Sequence, residues 1–275
     1  MKNLEFGVIE KTREVSDFEI DHKLAKSLGN TLNKIKGRVD QQLAQSGKLD
    51  TNEFIKFRVN RKAGELPNMN IFNQTIEKNG LDVYLLLDCS YSMSLTYGKM
   101  TNIASSIFKA LENCAFINFK CICYSGSFNG NLYIQELEKV DDCQYITPDR
   151  HNRGTPTHFV LNYIHDKIKK MENKKLVILF TDGLPEDSMS YENMQADIKK
   201  QVIKMKNDKI NFFTLFYQNY KYNGDSKDNP SLTKDITEKM RNMFKGTMYQ
   251  TDDFKQVEKV LIKQLIKSVE TINQN

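Results

Sequence analysis

The sequence VYLLLDCSYS, residues 83–92, decides the fold of this chain because it joins a buried strand to a polar turn. A strand that is apolar on both faces belongs in the middle of a sheet covered on both sides. Asp88, Ser90 and Ser92 then follow two residues apart, each with an oxygen-bearing side chain. Ligands of open α/β sheets bind beyond the carboxyl ends of the strands. Closely spaced carboxylate and hydroxyl oxygens at that position predict a site for a small, hard cation.

From about residue 81 onward, strand and helix patterns alternate along the chain. The turn SGSFNGN, residues 125–131, predicts a hairpin, and strand–helix–strand units elsewhere imply parallel pairing with right-handed crossovers. We therefore predict an α/β fold with a doubly wound, mostly parallel six-stranded sheet and one antiparallel edge strand. The predicted strands are 83–87, 115–124, 132–137, 176–181, 210–217 and 247–250, and the predicted helices are 100–113, 156–171, 191–207, 231–243 and 253–271.

The N-terminal region has a different pattern. Residues 20–45 carry apolar side chains at spacings of three and four, which predicts one amphipathic helix. Residues 22–62 hold ten Lys/Arg against three Asp/Glu. We therefore divide the chain into a helical, basic N-terminal extension, residues 1–75, and an α/β domain, residues 76–275. The apolar stripe of the predicted helix consists of Ile20, Leu24, Leu28, Leu32, Ile35, Val39 and Leu43.

The overall composition narrows the class of protein. The net charge of +5, from 40 basic and 35 acidic residues, is too mild to argue for nucleic acid. Five cysteines with no CxxC pair predict no disulfide framework. No apolar run is long enough to cross a bilayer, and the first residues lack the apolar core of a signal peptide. We expect a cytoplasmic protein without membrane contact, and polar loop or helix-surface positions for His151, His158 and His165.

Two further segments complete the predicted cation site. RGTPTH, residues 153–158, precedes a helix, with Thr155 as its expected N-cap and Pro156 in the first turn. LFTDGLPED, residues 179–187, ends an apolar strand at Asp182. If the strands at 83 and 176 are neighbours, the side chains of all three segments emerge at the same rim of the sheet. Five oxygen-bearing side chains would converge there: Asp88, Ser90, Ser92, Thr155 and Asp182.

The order of these motifs resembles that of a von Willebrand factor A domain, a Rossmann-like fold, over roughly residues 80–272. Its metal-ion-dependent adhesion site (MIDAS) has the pattern Asp-x-Ser-x-Ser, then Thr, then Thr-Asp-Gly. The resemblance implies that Ser90, Ser92 and Thr155 supply hydroxyl ligands and that Asp88 and Asp182 supply carboxylates, commonly through water. It implies Mg²⁺, with Mn²⁺ or Ca²⁺ as alternatives, and one position open to a Glu or Asp of a protein partner. Tyr91 stands where many members have glycine, which could crowd the rim or alter the choice of partner.

A narrower resemblance concerns the layout of the chain. The basic N-terminal region followed by NIFNQTIEKNGLDVYLLLDCSYSM, residues 70–93, is similar in arrangement to the C-terminal part of the large cobaltochelatase subunit. That intracellular protein and its relatives work with hexameric AAA+ ATPases of the MoxR type. This chain has no GxxxxGK[ST] loop, so the resemblance implies that ATPase activity would come from a partner.

The sequence also leaves alternatives to this binding role. A strand ending in Asp is also typical of haloacid dehalogenase phosphatases, metal-dependent hydrolases whose second Asp transfers protons, but Ser90 stands at that position here. A serine hydrolase would need a base beside Ser90 or Ser92, and the sequence places no histidine there. Nucleic-acid binding through the basic N-terminal helix is a further alternative, which the acidic rim disfavours. We expect a non-catalytic module.

Overall fold

The computed structural model describes residues 6–8, 18–35, 40–44, 48–49, 51–63, 71–76, 80–112, 114, 116–127, 132–146, 154–186, 189–218 and 230–272. In chain order the strands are β1 (Phe6–Val8), β2 (Asp40–Ala44), β3 (Lys48–Leu49), β4 (Phe72–Ile76), β5 (Leu81–Asp88), β6 (Ile117–Gly126), β7 (Leu132–Leu137), β8 (Lys174–Thr181), β9 (Ile210–Tyr217) and β10 (Met248–Thr251). The α-helices are α1 (His22–Ile35), α2 (Thr51–Lys62), α3 (Tyr97–Leu111), α4 (Thr157–Ile168), α5 (Tyr191–Asn207), α6 (Pro230–Met243) and α7 (Phe254–Ile272).

The main sheet confirms the predicted α/β fold. Its strand order is β1-β7-β6-β5-β8-β9-β10, and all neighbours are parallel except β6 and β7. The six predicted strands are all present, and β7, β9 and α5 have the predicted bounds. The short strand β1 adds a seventh and pairs with β7. The antiparallel strand β7 therefore lies one position inside the edge of the sheet.

Strand β5 shows why its sequence is apolar from Val83 to Leu87. Leu85 and Leu87 belong to a core on one side of the sheet, whereas Tyr84 and Leu86 belong to a second core on the other side. Successive side chains of a strand point to opposite faces, so the middle of a central strand between two helical layers is apolar on both faces. The first core includes α3 and α7, and the second includes α4, α5 and α6.

The N-terminal region differs from the single helix predicted over residues 20–45. Helix α1 ends at Ile35, and residues 40–44 form β2, which pairs antiparallel with β4 in a small sheet of order β2-β4-β3. The apolar spacing at Val39 and Leu43 predicted a continued helix. Local periodicity cannot detect pairing with a strand about 30 residues away, so this prediction is wrong for residues 40–44. The extension is therefore mixed in structure, not helical throughout. Val39 itself lies outside the described residues.

Helix α1 packs against the α/β domain. Leu28 and Leu32 are almost fully buried in the same core as α3 and α7, which confirms the middle of the predicted apolar stripe. A Cβ on Gly29 would lie 3.0 Å from the Ala110 carbonyl oxygen, so the absence of a side chain allows α1 and α3 to approach closely. The domain boundary near residue 75 stays a prediction.

No helix among the described residues is long and apolar enough to cross a membrane.

Candidate metal site

Asp88 and Asp182 lie at the carboxyl ends of two adjacent parallel strands. Leu87 of β5 pairs with Phe180 of β8, so the residues that follow leave the sheet at the same rim. The side chains of both carboxylates are buried, at 0% exposure for Asp88 and 8% for Asp182. The sequence-based expectation that the two strands are neighbours is thus confirmed, and it brings two acidic groups together in a water-poor environment.

The turn after β5 is held by its own aspartate. The backbone N–H of Ser90 donates to Asp88 Oδ1 at 2.9 Å, and the N–H of Cys89 donates to the Tyr124 carbonyl at 2.7 Å. The second bond extends the β5–β6 pairing by one residue beyond the strand. A short 3-10 helix, Tyr91–Thr96, then leads into α3. These bonds fix the direction in which the Ser90 hydroxyl projects.

Four of the five predicted ligand residues form one hydrogen-bonded group. Asp88 belongs to it because its carboxylate accepts from the Ser90 N–H. Ser90 Oγ and Ser92 Oγ are 3.0 Å apart, and Ser92 Oγ donates to Asp182 Oδ1 at 2.8 Å. In an octahedral magnesium site with metal–oxygen distances of about 2.0–2.1 Å, adjacent ligand oxygens are about 2.9 Å apart. The spacing of these three oxygens therefore fits the ligand shell of a small cation.

Thr155 reaches the rim by backbone pairing. Its N–H donates to the Glu186 carbonyl at 2.7 Å, and the Glu186 N–H donates back at 3.1 Å, which ties the loop before α4 to the loop after β8. Thr155 is 6% exposed. Among the described residues, no hydrogen bond joins its hydroxyl to the other four ligand candidates. The structure thus places Thr155 on the same rim but does not bring it into their hydrogen-bonded group.

The predicted N-cap role of Thr155 is wrong. The N-cap residue of α4 is Pro156, whose carbonyl accepts from Phe159 and Val160. The Thr155 carbonyl instead accepts from Glu186 and Thr157. Because the Thr155 backbone belongs to the loop pairing, the helix begins one residue later than the Gly-Thr-Pro pattern indicated.

A glycine allows the close packing of these loops. Gly154 and Gly126 exchange two backbone hydrogen bonds of 2.8 and 3.0 Å. A Cβ on Gly154 would lie 3.0 Å from the Gly126 carbonyl oxygen and 3.1 Å from that of Glu186. Both are backbone atoms, so a larger residue would push the loops apart. Gly154 therefore sets the position of its neighbour Thr155.

The electrostatics of the rim are unfavourable without a cation. Burial raises the pKa of Asp88, although hydrogen bonds from Thr181 and Ser90 partly oppose this. Burial and the Asp88 carboxylate raise the pKa of Asp182 from 3.8 to about 7, against the lowering effect of the Ser92 hydroxyl. Within the described residues, no Lys, Arg or His forms a salt bridge with either group. Two buried carboxylates held together without a positive partner fit a cation-binding role.

Thr181 is a contributor that the sequence analysis missed. Its Oγ1 donates to Asp88 Oδ2 at 2.6 Å, and its side chain is almost fully buried. Both Asp88 oxygens are therefore occupied, one by Ser90 N–H and one by Thr181, so the carboxylate is held in a single orientation. The Thr of the Thr-Asp-Gly motif is the signal that could have revealed this residue.

The other reactive side chains do not assemble into a second centre. Contrary to the surface positions predicted for the histidines, His158 and His165 are buried, and His165 Nε2 lies 2.6 Å from Asp208 Oδ2; His151 lies outside the described residues. All five cysteines are buried, without disulfides. In the part of the chain that the structure describes, no group of three or more His, Cys, Asp or Glu side chains could hold a metal. A cation at the rim would therefore need further oxygen ligands besides the two carboxylates, such as hydroxyl groups or water.

Comparisons with known proteins agree with this fold. The model of the von Willebrand factor type A domain family matches residues 82–263. No curated protein matches the sequence significantly. Among solved structures, the pilus adhesin SpaC from Lactobacillus rhamnosus GG, in its open conformation, superposes with a TM-score of 0.53 at 16% identity. The match covers 72% of this chain but only 31% of SpaC, so this chain spans about a third of that protein.

Two further structures are more distant. The von Willebrand factor domain of the type V pili tip protein Mfa5 from Porphyromonas gingivalis matches with a TM-score of 0.47 at 10% identity, over 72% of this chain and 97% of that one. Proximal thread matrix protein 1 from the mussel byssus, solved with a zinc-occupied MIDAS motif, matches with a TM-score of 0.46 at 14% identity. That match covers 70% of this chain and 48% of the byssus protein.

Proposed function

Because the chain belongs to the von Willebrand factor type A domain family, we propose that it is a non-catalytic protein-binding module that depends on a divalent cation. In this proposal Asp88, Ser90, Ser92, Thr155 and Asp182 hold Mg²⁺, with Mn²⁺ or Ca²⁺ as alternatives. A Glu or Asp of a partner protein completes the coordination. The cation supplies the positive charge that attracts the partner carboxylate.

The single observation that carries the proposal is the buried pair Asp88 and Asp182 at one rim. Their exposures of 0% and 8% leave little water to screen their repulsion, and the described residues supply no cationic partner. Hydroxyl and carboxylate oxygens are the donors that Mg²⁺ prefers, and the 2.8 and 3.0 Å oxygen separations match its ligand shell. The hydrogen bonds from Ser90 N–H and Thr181 hold Asp88 ready for binding at little entropic cost.

The same geometry favours binding over catalysis. A phosphatase of the aspartate-nucleophile type would need an acid/base group two residues after Asp88, where Ser90 stands. The Ser90 and Ser92 hydroxyls contact each other, Ser92 donates to Asp182, and neither hydroxyl is hydrogen-bonded to a histidine among the described residues. In this proposal Asp182, which accepts the hydrogen bond from Ser92, serves as a metal ligand and not as a catalytic base.

We further propose that the module is cytoplasmic and acts as an adaptor for a hexameric AAA+ ATPase of the MoxR type or for another intracellular complex. This part rests on the resemblance in layout between residues 70–93, with the basic region before them, and the cobaltochelatase-like proteins. The lack of a phosphate-binding loop of the GxxxxGK[ST] form agrees with a partner that supplies the nucleotide chemistry.

Titration with MgCl₂ by isothermal calorimetry tests the metal site directly. Asp88→Asn should abolish measurable Mg²⁺ binding, because it removes one of two carboxylate charges while an amide oxygen can still accept from the Ser90 N–H. Asp82→Asn is a matched control: Asp82 is also buried on β5, but it lies at the opposite rim, where Asn118 and Asn173 donate to it. Equal Mg²⁺ binding by wild type and Asp88→Asn would refute the assignment.

Partner capture tests the second half of the proposal. The full chain, immobilised, should retain an acidic partner in Mg²⁺ and release it in EDTA, and an added AAA+ ATPase of the MoxR type should follow the same pattern. Retention that persists in excess EDTA would show that no metal bridges the two proteins. Retention of partner by the Asp88→Asn variant would lead to the same conclusion.

A further inference from the structure

Helix α2 is unusual because it buries none of its side chains. Six large hydrophobic side chains stand out as exposed in the described part of the chain, and three of them lie within residues 49–59. These are Leu49 at 43% exposure, immediately before α2, and Ile55 and Val59 at 55% and 59%. Scattered single exposed hydrophobics are normal, whereas a local group of them indicates a contact surface.

Two of the four apolar side chains of α2, Ile55 and Val59, form a short stripe. At about 100° per residue, Ile55 and Val59 are separated by about 40° around the helix axis and by one turn along it. Such an i, i+4 pair is the spacing at which one helix packs against another. Phe54 and Phe57 lie about 100° and 160° away from Ile55, stack on each other with centroids 6.5 Å apart, and are less exposed.

The stripe has a strongly basic border. Helix α2 carries Lys56, Arg58, Arg61 and Lys62, all exposed, against the single acid Glu53. Glu53 already forms a salt bridge of 2.7 Å with Lys56. The remaining three cations have no carboxylate within α2 to offset their charge. A surface that combines exposed aliphatic groups with uncompensated cations is complementary to an apolar surface bordered by carboxylates.

We propose that α2, with Leu49, is a docking surface for an acidic amphipathic helix of a partner protein. The partner's apolar face would cover Ile55 and Val59, and its carboxylates would pair with Arg58 and Lys62. A membrane surface fits less well, because lipid binding needs one continuous apolar face and the phenylalanines lie on a different side from the stripe. Nucleic acid would use the cations but leaves the aliphatic pair without a role. The surface is distinct from the metal rim and does not depend on it.

The probe is a synthetic helical peptide of leucine and glutamate with leucines at i, i+3 and i+4 spacing, labelled for fluorescence anisotropy. The full chain is titrated in EDTA, so that the metal rim cannot contribute. Binding is expected, with an affinity that falls as salt is raised, and a matched peptide with lysine in place of glutamate is expected not to bind. The double variant Ile55→Ser/Val59→Ser should weaken binding about tenfold or more, and Arg58→Glu/Lys62→Glu should weaken it and reduce its salt dependence.

The controls use an equally exposed position on another helix. Ile203 on α5 is also 59% exposed, so Ile203→Ser should leave peptide binding unchanged. Since α2 buries no side chain, its variants should keep the circular dichroism spectrum and thermal midpoint of the wild type. Absence of peptide binding, equal binding of the lysine peptide, or an equal loss in Ile203→Ser would each overturn the proposal. Tighter α2-dependent binding to phosphatidylserine vesicles or single-stranded RNA than to the acidic peptide would also overturn it.

Discussion

Replacing Asp182 with asparagine should stabilise the metal-free protein, although it removes a proposed metal ligand. Burial and the nearby Asp88 carboxylate raise the pKa of Asp182 from 3.8 to about 7. The folded state therefore holds the Asp182 proton more tightly than the unfolded chain does. The stability that this proton contributes is fully present below about pH 4 and is lost as the pH rises towards 7. At pH 8 the folded protein keeps a buried, repelled charge that asparagine does not carry.

The size of the effect follows from the shift. Three pKa units at about 1.4 kcal/mol each correspond to at most about 4 kcal/mol of unfolding free energy at pH 8. Asparagine keeps a side-chain oxygen that can accept the hydrogen bond from the Ser92 hydroxyl. The existing 2.8 Å bond can therefore be retained, and little of the gain in stability is lost. For a chain of this size, about 2–4 °C of midpoint corresponds to each kcal/mol. A rise of several degrees in the thermal midpoint is therefore expected.

The assay is urea and thermal unfolding of wild type and Asp182→Asn in EDTA at pH 4 and pH 8, repeated with Mg²⁺ at pH 8. The variant should be more stable at pH 8 and about equal to wild type at pH 4. Added Mg²⁺ should stabilise wild type far more than the variant, because binding to the folded state alone adds to stability. A variant no more stable than wild type at pH 8 in EDTA, or equally more stable at both pH values, would refute the reasoning about the buried pair.

Three other substitutions test separate parts of the structure. Thr181→Val removes the hydroxyl that donates to Asp88 Oδ2, and we expect Mg²⁺ affinity to fall about tenfold or more by calorimetry; an unchanged affinity would show that this bond does not orient the carboxylate. Gly154→Ala brings a Cβ within 3.1 Å of two carbonyl oxygens, which should cost about 1–3 kcal/mol of unfolding free energy and weaken Mg²⁺ binding through Thr155. Leu32→Ala in α1 should cost about 2–5 kcal/mol in urea unfolding because its side chain is fully buried, whereas a loss below about 0.5 kcal/mol would show that α1 does not belong to the core.

The strongest sequence-based predictions concerned segments whose local pattern and tertiary environment agree. β7, β9 and α5 begin and end at the predicted residues, and the other predicted strands and helices of the α/β domain differ by a few residues at their ends. β5 was recognisable because both of its faces are covered, so no charged residue stands between Val83 and Leu87. Because β5 and β8 are parallel neighbours, Asp182 at the end of β8 lies at the same rim as Asp88, as predicted from the sequence.

Predictions of secondary structure failed where a segment pairs with a strand that is distant in the sequence, because hydrophobic periodicity reports only on neighbouring residues. Residues 40–44 continue the apolar spacing of α1, yet they pair with β4 about 30 residues later along the chain. The three residues of β1 are too few for a periodic signal, and they form a strand only because β7 offers an unpaired edge. His158 reads as a polar residue of a first helical turn, but α4 packs so closely on the sheet that its side chain is fully buried.

The sequence by itself determined the α/β alternation, the central buried strands and the oxygen-bearing residues that end them, because hydrophobic periodicity and strand exits are local properties. Only the tertiary structure decided how those oxygens are held. The 2.6 Å bond from Thr181 to Asp88 and the pairing of Thr155 with Glu186 join segments that are far apart in the chain. The raised pKa of Asp182 likewise depends on burial by neighbouring segments and on Asp88, which comes from another strand. Distances between segments and exclusion of water arise only when the chain is packed, so no local pattern encodes them.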